Sequence, residues 1–243
     1  MPEMTNEKAA NAARMELQRA QLVMHRRPED AIAHLSEAKR LDPLNEEIII
    51  SLARVEIGLE RYSDALANLQ RVIEMKEDND EAQALAGLCH CRNGNWDEAS
   101  DRAKKALGWN SFNPLAREVL ADCLRAGGEW QGALKELNAL AGIPGLPDKA
   151  LARIDLKRAH CFLGMGECQQ AWEVTGRLLN MGFGGRPLME LHKKSGAMHK
   201  AEIAAEFGEQ GLGHRILMWL APSQVLRAVS LGKKRSHGKG IKQ

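Results

Sequence analysis

RYSDALANLQRVI from Arg61, NWDEASDRAKKAL from Asn95 and EWQGALKELNAL from Glu129 are three variants of one segment. Each carries a large ring at its second position, Tyr62, Trp96 or Trp130, and an alanine three residues later, Ala65, Ala99 or Ala133. Successive alanines lie 34 residues apart. The pattern extends in both directions, to RPEDAIAHLSEAKRL from Arg27 with Ala31 and to ECQQAWEVTGRLL from Glu167 with Ala171. Only the last interval, from Ala133 to Ala171, is longer, and its four extra residues are assigned to GIPGLPDK, Gly142 to Lys149, whose two prolines predict a lengthened loop.

Self-similarity at a fixed period of this length is the mark of a stacked-repeat architecture. Within a segment the apolar residues recur at helical spacing, as in Leu35, Ala38 and Leu41 or Leu69, Val72 and Ile73. A second apolar helix precedes each alanine-bearing one. Between the two, Gly94, Gly128 and Gly166 take one equivalent position, where the chain must reverse. No run alternates with period two for long enough to argue a strand, so the expectation is all-α.

The pattern resembles the tetratricopeptide repeat family. In that frame the units are 12–45, 46–79, 80–113, 114–147 and 152–185, after an N-terminal extension of 1–11. The resemblance implies a right-handed superhelical solenoid of about five helix-turn-helix repeats. It is carried by the small residue at position 8 (Ala53, Gly87, Ala121, Ala159), the five alanines at position 20, and the helix-ending Pro43. The aromatic expected at position 4 is replaced by Met15, Ile49, Gln83, Arg117 and Asp155, and position 8 of the first unit is Arg19. Beyond Gly185 the repeat fades, and residues 186–231 are read as a helical cap that begins with a degenerate sixth hairpin over Arg186 to Gly208. Residues 232–243 form a basic tail, expected to be disordered.

Composition limits the partners. Apolar residues are 44% of the 243-residue chain, enough for a core, and 34 basic residues nearly balance 32 acidic ones. Six Lys or Arg and no acid fall between Arg227 and Gln243, so the body upstream is net −4. Aromatics at 4% leave little for stacking on bases, and no nucleic acid is expected as a partner. The first residues, MPEMTNEKAANAAR, carry acids and no apolar run, which reads as neither signal peptide nor anchor. Five cysteines without an export signal point to reduced thiols in a cytoplasmic protein.

Chemistry-bearing motifs are sparse. Cys89, His90 and Cys91 with His160 and Cys161 invite a metal reading, but Cys89, Cys123 and Cys161 share position 10, where a buried small residue is expected. No nucleophile elbow, phosphate-cradling loop or H-E-x-x-H occurs, so neither a catalytic residue, a metal nor a cofactor is assigned and the chain is read as no enzyme.

The family resemblance implies instead a concave groove lined by the first helices. Carried onto this chain, that groove presents Ile50, Arg54, Ala84, Leu88, Arg92, Glu118, Asp122, Arg125, Arg153, Lys157 and His160. The clamp by which some members grip a terminal carboxylate is matched only by Arg153 and Lys157, because Ala84, Leu88 and Val119 stand at its other positions. The expected function is a protein-binding adaptor or assembly chaperone that holds a partner segment in the groove; family members that serve bacterial secretion machines are a variant of that reading.

The alternative is a peripheral membrane scaffold on the inner face of a membrane, drawn to anionic lipid through HRILMWLAPSQVLRAVSL, His214 to Leu231, and the basic tail. Pro222 interrupts a continuous amphipathic face there and favours packing on the last hairpin. Self-association through an edge hairpin is also compatible with the sequence.

If the small residues at positions 8 and 20 let paired helices touch, Ala99→Leu overpacks that contact. The expected cost is roughly 1–3 kcal/mol, read from the chemical denaturation midpoint; an unchanged midpoint contradicts the frame.

Overall fold

Three asparagines set the starts of three helices. Asn45, Asn79 and Asn113 recur with the same period as the alanines, and each side-chain oxygen accepts from the backbone N–H three residues on, at Ile48 (3.3 Å), Ala82 (2.9 Å) and Ala116 (2.9 Å). This satisfies a donor that the first turn of a helix leaves unpaired. Two of the caps also reach back to the preceding unit. The Asn79 amide donates to Glu46 at 3.0 Å and the Asn113 amide to Asp80 at 2.7 Å, each acid being the first residue of the previous unit's first helix.

Helices end with equal regularity. The backbone N–H groups of Arg61, Asn95 and Glu129 donate to the carbonyls of Glu56, His90 and Leu124 at 2.8, 2.9 and 2.8 Å. These are six-to-one bonds that close a helix through a left-handed residue. That residue is Gly94 (φ 79°), Gly128 (φ 77°) and, one unit earlier, Glu60 (φ 61°). Glu60 bears the steric cost of a conformation that its neighbours in the repeat assign to glycine.

The computed structural model describes residues 2–208, and no strand occurs among them. The helices are α1 (Pro2–Val23), α2 (Pro28–Leu41), α3 (Glu46–Gly58), α4 (Tyr62–Met75), α5 (Asp80–Arg92) and α6 (Trp96–Trp109). They continue as α7 (Pro114–Ala126), α8 (Trp130–Ala141), α9 (Asp148–Gly164), α10 (Cys168–Asn180) and α11 (Arg186–Gly208). The chain divides into two units, with the boundary between Met165 and Gly166. In the first, α1 pairs with α2, α3 with α4, α5 with α6 and α7 with α8, and each second helix also packs on the next first helix.

The repeating alanines form the seams. Ala31, Ala65, Ala99 and Ala133 are all fully buried, as are Ala53, Ala121 and Ala159 of the first helices. At Gly87 the two helices nearly touch: a Cβ there would lie 3.2 Å from the carbonyl oxygen of Ala99. Larger side chains fill the space beside the seams, with Ile49, Leu69 and Val72 in one cluster and Leu137, Leu140 and Ile154 in another. Polar groups join this interior as well. Glu56 is buried and both its oxygens accept from the Asn68 amide, at 3.0 and 2.8 Å, while Lys39 donates to the Asn68 oxygen at 2.5 Å.

Two local expectations change. The insertion assigned wholly to a loop over Gly142 to Lys149 goes in part into helix: α9 starts at Asp148 and has 17 residues, against 13 in α3, α5 and α7. Pro147 occupies its N-cap, where a proline does not obstruct the helix that follows. Likewise, Arg186 to Gly208, expected to start a degenerate hairpin, is one continuous helix of 23 residues. Its central glycine does not turn the chain but admits a ring, since a Cβ at Gly196 would lie 3.0 Å from the Trp172 indole.

In this second unit α11 packs on α10, and the Trp172 ring stacks on His192 at 5.7 Å and on His199 at 6.1 Å between ring centroids. Residues 2–11, read as an extension, belong to α1. The apolar stretch 214–231 and the tail 232–243 lie outside the described residues.

Because Glu60 occupies a glycine position of the repeat, Glu60→Gly relieves its left-handed strain and is expected to stabilise the protein. Gly94→Ala, which introduces that strain, costs about 1 kcal/mol. Thermal melts of the two variants shifting in opposite directions is the expected result.

Candidate functional site

Side chains that project from one face of α5, α7 and α9 surround an open cavity of about 750 Å³. Leu88, Cys91 and Arg92 come from the last turns of α5, Glu118, Asp122, Arg125 and Ala126 from α7, and Arg153, Lys157 and His160 from α9. Trp96 and Trp130, the first residues of α6 and α8, complete the lining with Gly94. The three first helices come together because each packs on the second helix before it, and α5 also contacts α7 directly.

Eight of the eleven residues expected in a groove therefore meet around one cavity: Leu88, Arg92, Glu118, Asp122, Arg125, Arg153, Lys157 and His160. The structure places three elsewhere. Ile50 is a buried member of the core cluster around Ala53, and Ala84 is fully buried beside Ala106 and Ala116. Arg54 is exposed and pairs with Glu81 at 2.5 Å. Of Ile50, Ala84 and Leu88, only Leu88 lines the cavity, where Trp96 and Trp130 add further apolar surface.

Trp96 and Trp130 recur periodically in sequence as the large rings that open α6 and α8, and their place in the cavity lining is seen only in the structure. Trp130 is held by a close approach, for a Cβ at Gly164 would fall 2.4 Å from its indole.

Charges in the cavity form a network. Glu118 accepts from Arg153 at 3.0 Å and from Lys157 at 2.8 Å, and Lys157 also donates to Asp122 at 2.6 Å. Arg125 Nε approaches Asp122 Oδ1 at 3.6 Å, within ion-pair range but too long for a hydrogen bond, and both atoms are buried without a hydrogen-bond partner. Lys157 is largely shielded from water, with 17% of its side chain exposed, so its bonds are less screened than those of a surface pair. Arg92 is exposed and forms no ion pair with the described residues. With four cations against two carboxylates, the cavity keeps a positive excess.

Among the described residues no group of three or more His, Cys, Asp and Glu stands together as a metal site, and no helix is long and apolar enough to cross a membrane. Cys89, Cys123 and Cys161 are buried, as position 10 predicts, and burial pushes the Cys89 thiol up to about 12.

Two family models match the chain. One, for the tetratricopeptide repeat, covers residues 22–89, and the other, for anaphase-promoting complex, cyclosome, subunit 3, covers residues 60–140. Together they mark tetratricopeptide-type repeats within residues 22–140 of the chain. Over 98 residues it is 30% identical to the Hsp70-Hsp90 organizing protein of Triticum aestivum, a stretch that makes up 40% of this chain and 17% of that protein.

Several solved structures share the tetratricopeptide fold. PilF of Pseudomonas aeruginosa has a TM-score of 0.63 at 15% identity, covering 83% of this chain and 94% of its own. A tetratricopeptide repeat protein of Parabacteroides merdae has a TM-score of 0.62 at 17% identity, with coverage of 81% and 77%. A thermophilic member from Thermus thermophilus has a TM-score of 0.59 at 17% identity, with coverage of 77% and 98%.

Removing the Lys157 ammonium leaves Glu118 and Asp122 one helical turn apart and stripped of their shared partner. Lys157→Met is expected to cost about 1–3 kcal/mol, measured by urea unfolding with an unchanged m value.

Proposed function

We propose that this tetratricopeptide repeat protein is a protein-interaction adaptor or assembly chaperone, which captures an extended or helical segment of a partner in the cavity between α5, α7 and α9. The observation that carries the reading is the convergence of three successive first helices on an open space of about 750 Å³, within the range of a binding cleft. Its walls are already braced. Arg153 and Lys157 are held by carboxylates in the unbound protein, so little side-chain entropy remains to be lost when a partner enters.

Chemistry at the rim indicates what the segment carries. Arg92 has an unengaged guanidinium beside Leu88 and Trp96, and the cavity's positive excess favours carboxylates on the partner. Trp96 and Trp130 give rigid apolar surface for an adjacent anchor, the residue type that dominates interface energetics. A partner with an acidic residue next to an apolar one complements both features. The likeness to a stretch of an Hsp70-Hsp90 organizing protein supports a protein-binding role, and the identity of the partner is left to capture from the native cell.

The double variant Arg92→Glu, Arg125→Glu is expected to weaken capture of the partners recovered by the unmodified chain by at least about tenfold, about 1.4 kcal/mol, with helicity unchanged. Recovery of the same partners at the same yield overturns the groove assignment.

A further inference from the structure

Of the five cysteines, four are buried and one, Cys91, is partly exposed. Cys91 lies in the last turn of α5 and lines the groove cavity, while Cys123 lies on α7 and is buried directly behind it. Cys91 packs against the cluster of Ala99, Val119 and Leu120 that contains Cys123, across the α5–α7 contact, and each thiol is the largest influence on the other's titration. The two side chains are therefore neighbours in the groove floor.

The surroundings give the pair an asymmetry. Cys91 is held below the usual thiol range, first by the hydrogen bond from Cys123 and then by Arg92 and Lys157, against the opposing effects of burial and Asp122. Cys123 is pushed up, first by that same hydrogen bond and then by burial. Cys89, Cys161 and Cys168 are all pushed up as well, in each case chiefly by burial. A thiolate is the reactive form, and Cys91, the sulfur that lines the cavity, is the one an oxidant reaches first.

We propose that Cys91 and Cys123 are an oxidisable dithiol in the groove floor, converted by hydrogen peroxide to a disulfide that ties α5 to α7. In the first step Cys91 thiolate attacks one peroxide oxygen, the O–O bond breaks, and a sulfenic acid and hydroxide form. In the second, Cys123 gives up its proton and its sulfur attacks the Cys91 sulfur, releasing water and forming the S–S bond. In sum two thiols lose two electrons and two protons, and one peroxide becomes two waters. The modification stands independently of what the groove binds.

The test uses the full chain, reduced and then treated with one equivalent of hydrogen peroxide before alkylation and mass spectrometry under non-reducing conditions. The expected product has three alkylatable thiols in place of five, a mass lower by two hydrogens, and a linkage between the peptides 77–92 and 118–125. Dithiothreitol restores all five thiols. Because Cys89 shares a peptide with Cys91, two variants separate them: the linkage survives Cys89→Ser and disappears in Cys91→Ser. In Cys123→Ser, dimedone labels Cys91, which reports the trapped sulfenic acid. Five intact thiols, a linkage that persists in Cys91→Ser, or oxidation that dithiothreitol does not reverse would overturn the proposal.

Discussion

Gly87 and Ala99 leave no room between α5 and α6, and that near contact of backbones is the constraint on which the first unit depends. Two helices can come this close only where neither presents a side chain beyond Cβ. Once they do, the larger residues on either side, such as Leu69, Val72 and Leu137, interlock with the next pair in sequence. A single pair could not bury its apolar face; each is completed by its neighbour. The recurrence keeps the small residues of successive pairs at matching contacts, and where the interval lengthens the four extra residues go into the loop and the start of α9, leaving Ala159 buried.

Polar groups keep the recurrence in register. The left-handed residue at each turn closes one helix, and the asparagine ahead of the next unit opens another. Since Asn79 and Asn113 also donate to acids at the starts of α3 and α5, one side chain both caps its own helix and measures the distance to the unit before. The groove is a consequence of this spacing. With first helices held side by side, Leu88, Asp122 and Lys157 come to line one space although they are widely separated along the chain. Lys157, bonded to carboxylates on α7, fixes α9 at the groove wall.

Much of this is legible in the residues. The alanine period locates the seams, the glycine column locates the turns, and eight of the positions that the resemblance implies line one cavity. The asparagine caps are equally periodic, but a polar residue in a loop carries no signal until the next helix start is known. Other features depend on three-dimensional detail. Ile50 and Ala84 occupy groove positions in the frame, yet neighbouring helices close over them. Two prolines in GIPGLPDK speak for a loop, although proline at a helix start is compatible with the extra turn that α9 gains. The meeting of Cys91 with Cys123, and of Glu56 with Asn68, joins positions that share no motif.

The proposed capture in the groove can be probed by where a partner touches the chain. A photoactivatable residue placed at Leu88, on the cavity wall, or at Lys105, on the exposed face of α6, reports contact in the native cell. Capture in the groove predicts that one partner is crosslinked from Leu88 and is not crosslinked from Lys105. Crosslinking of that partner from Lys105 with equal or greater yield would contradict it.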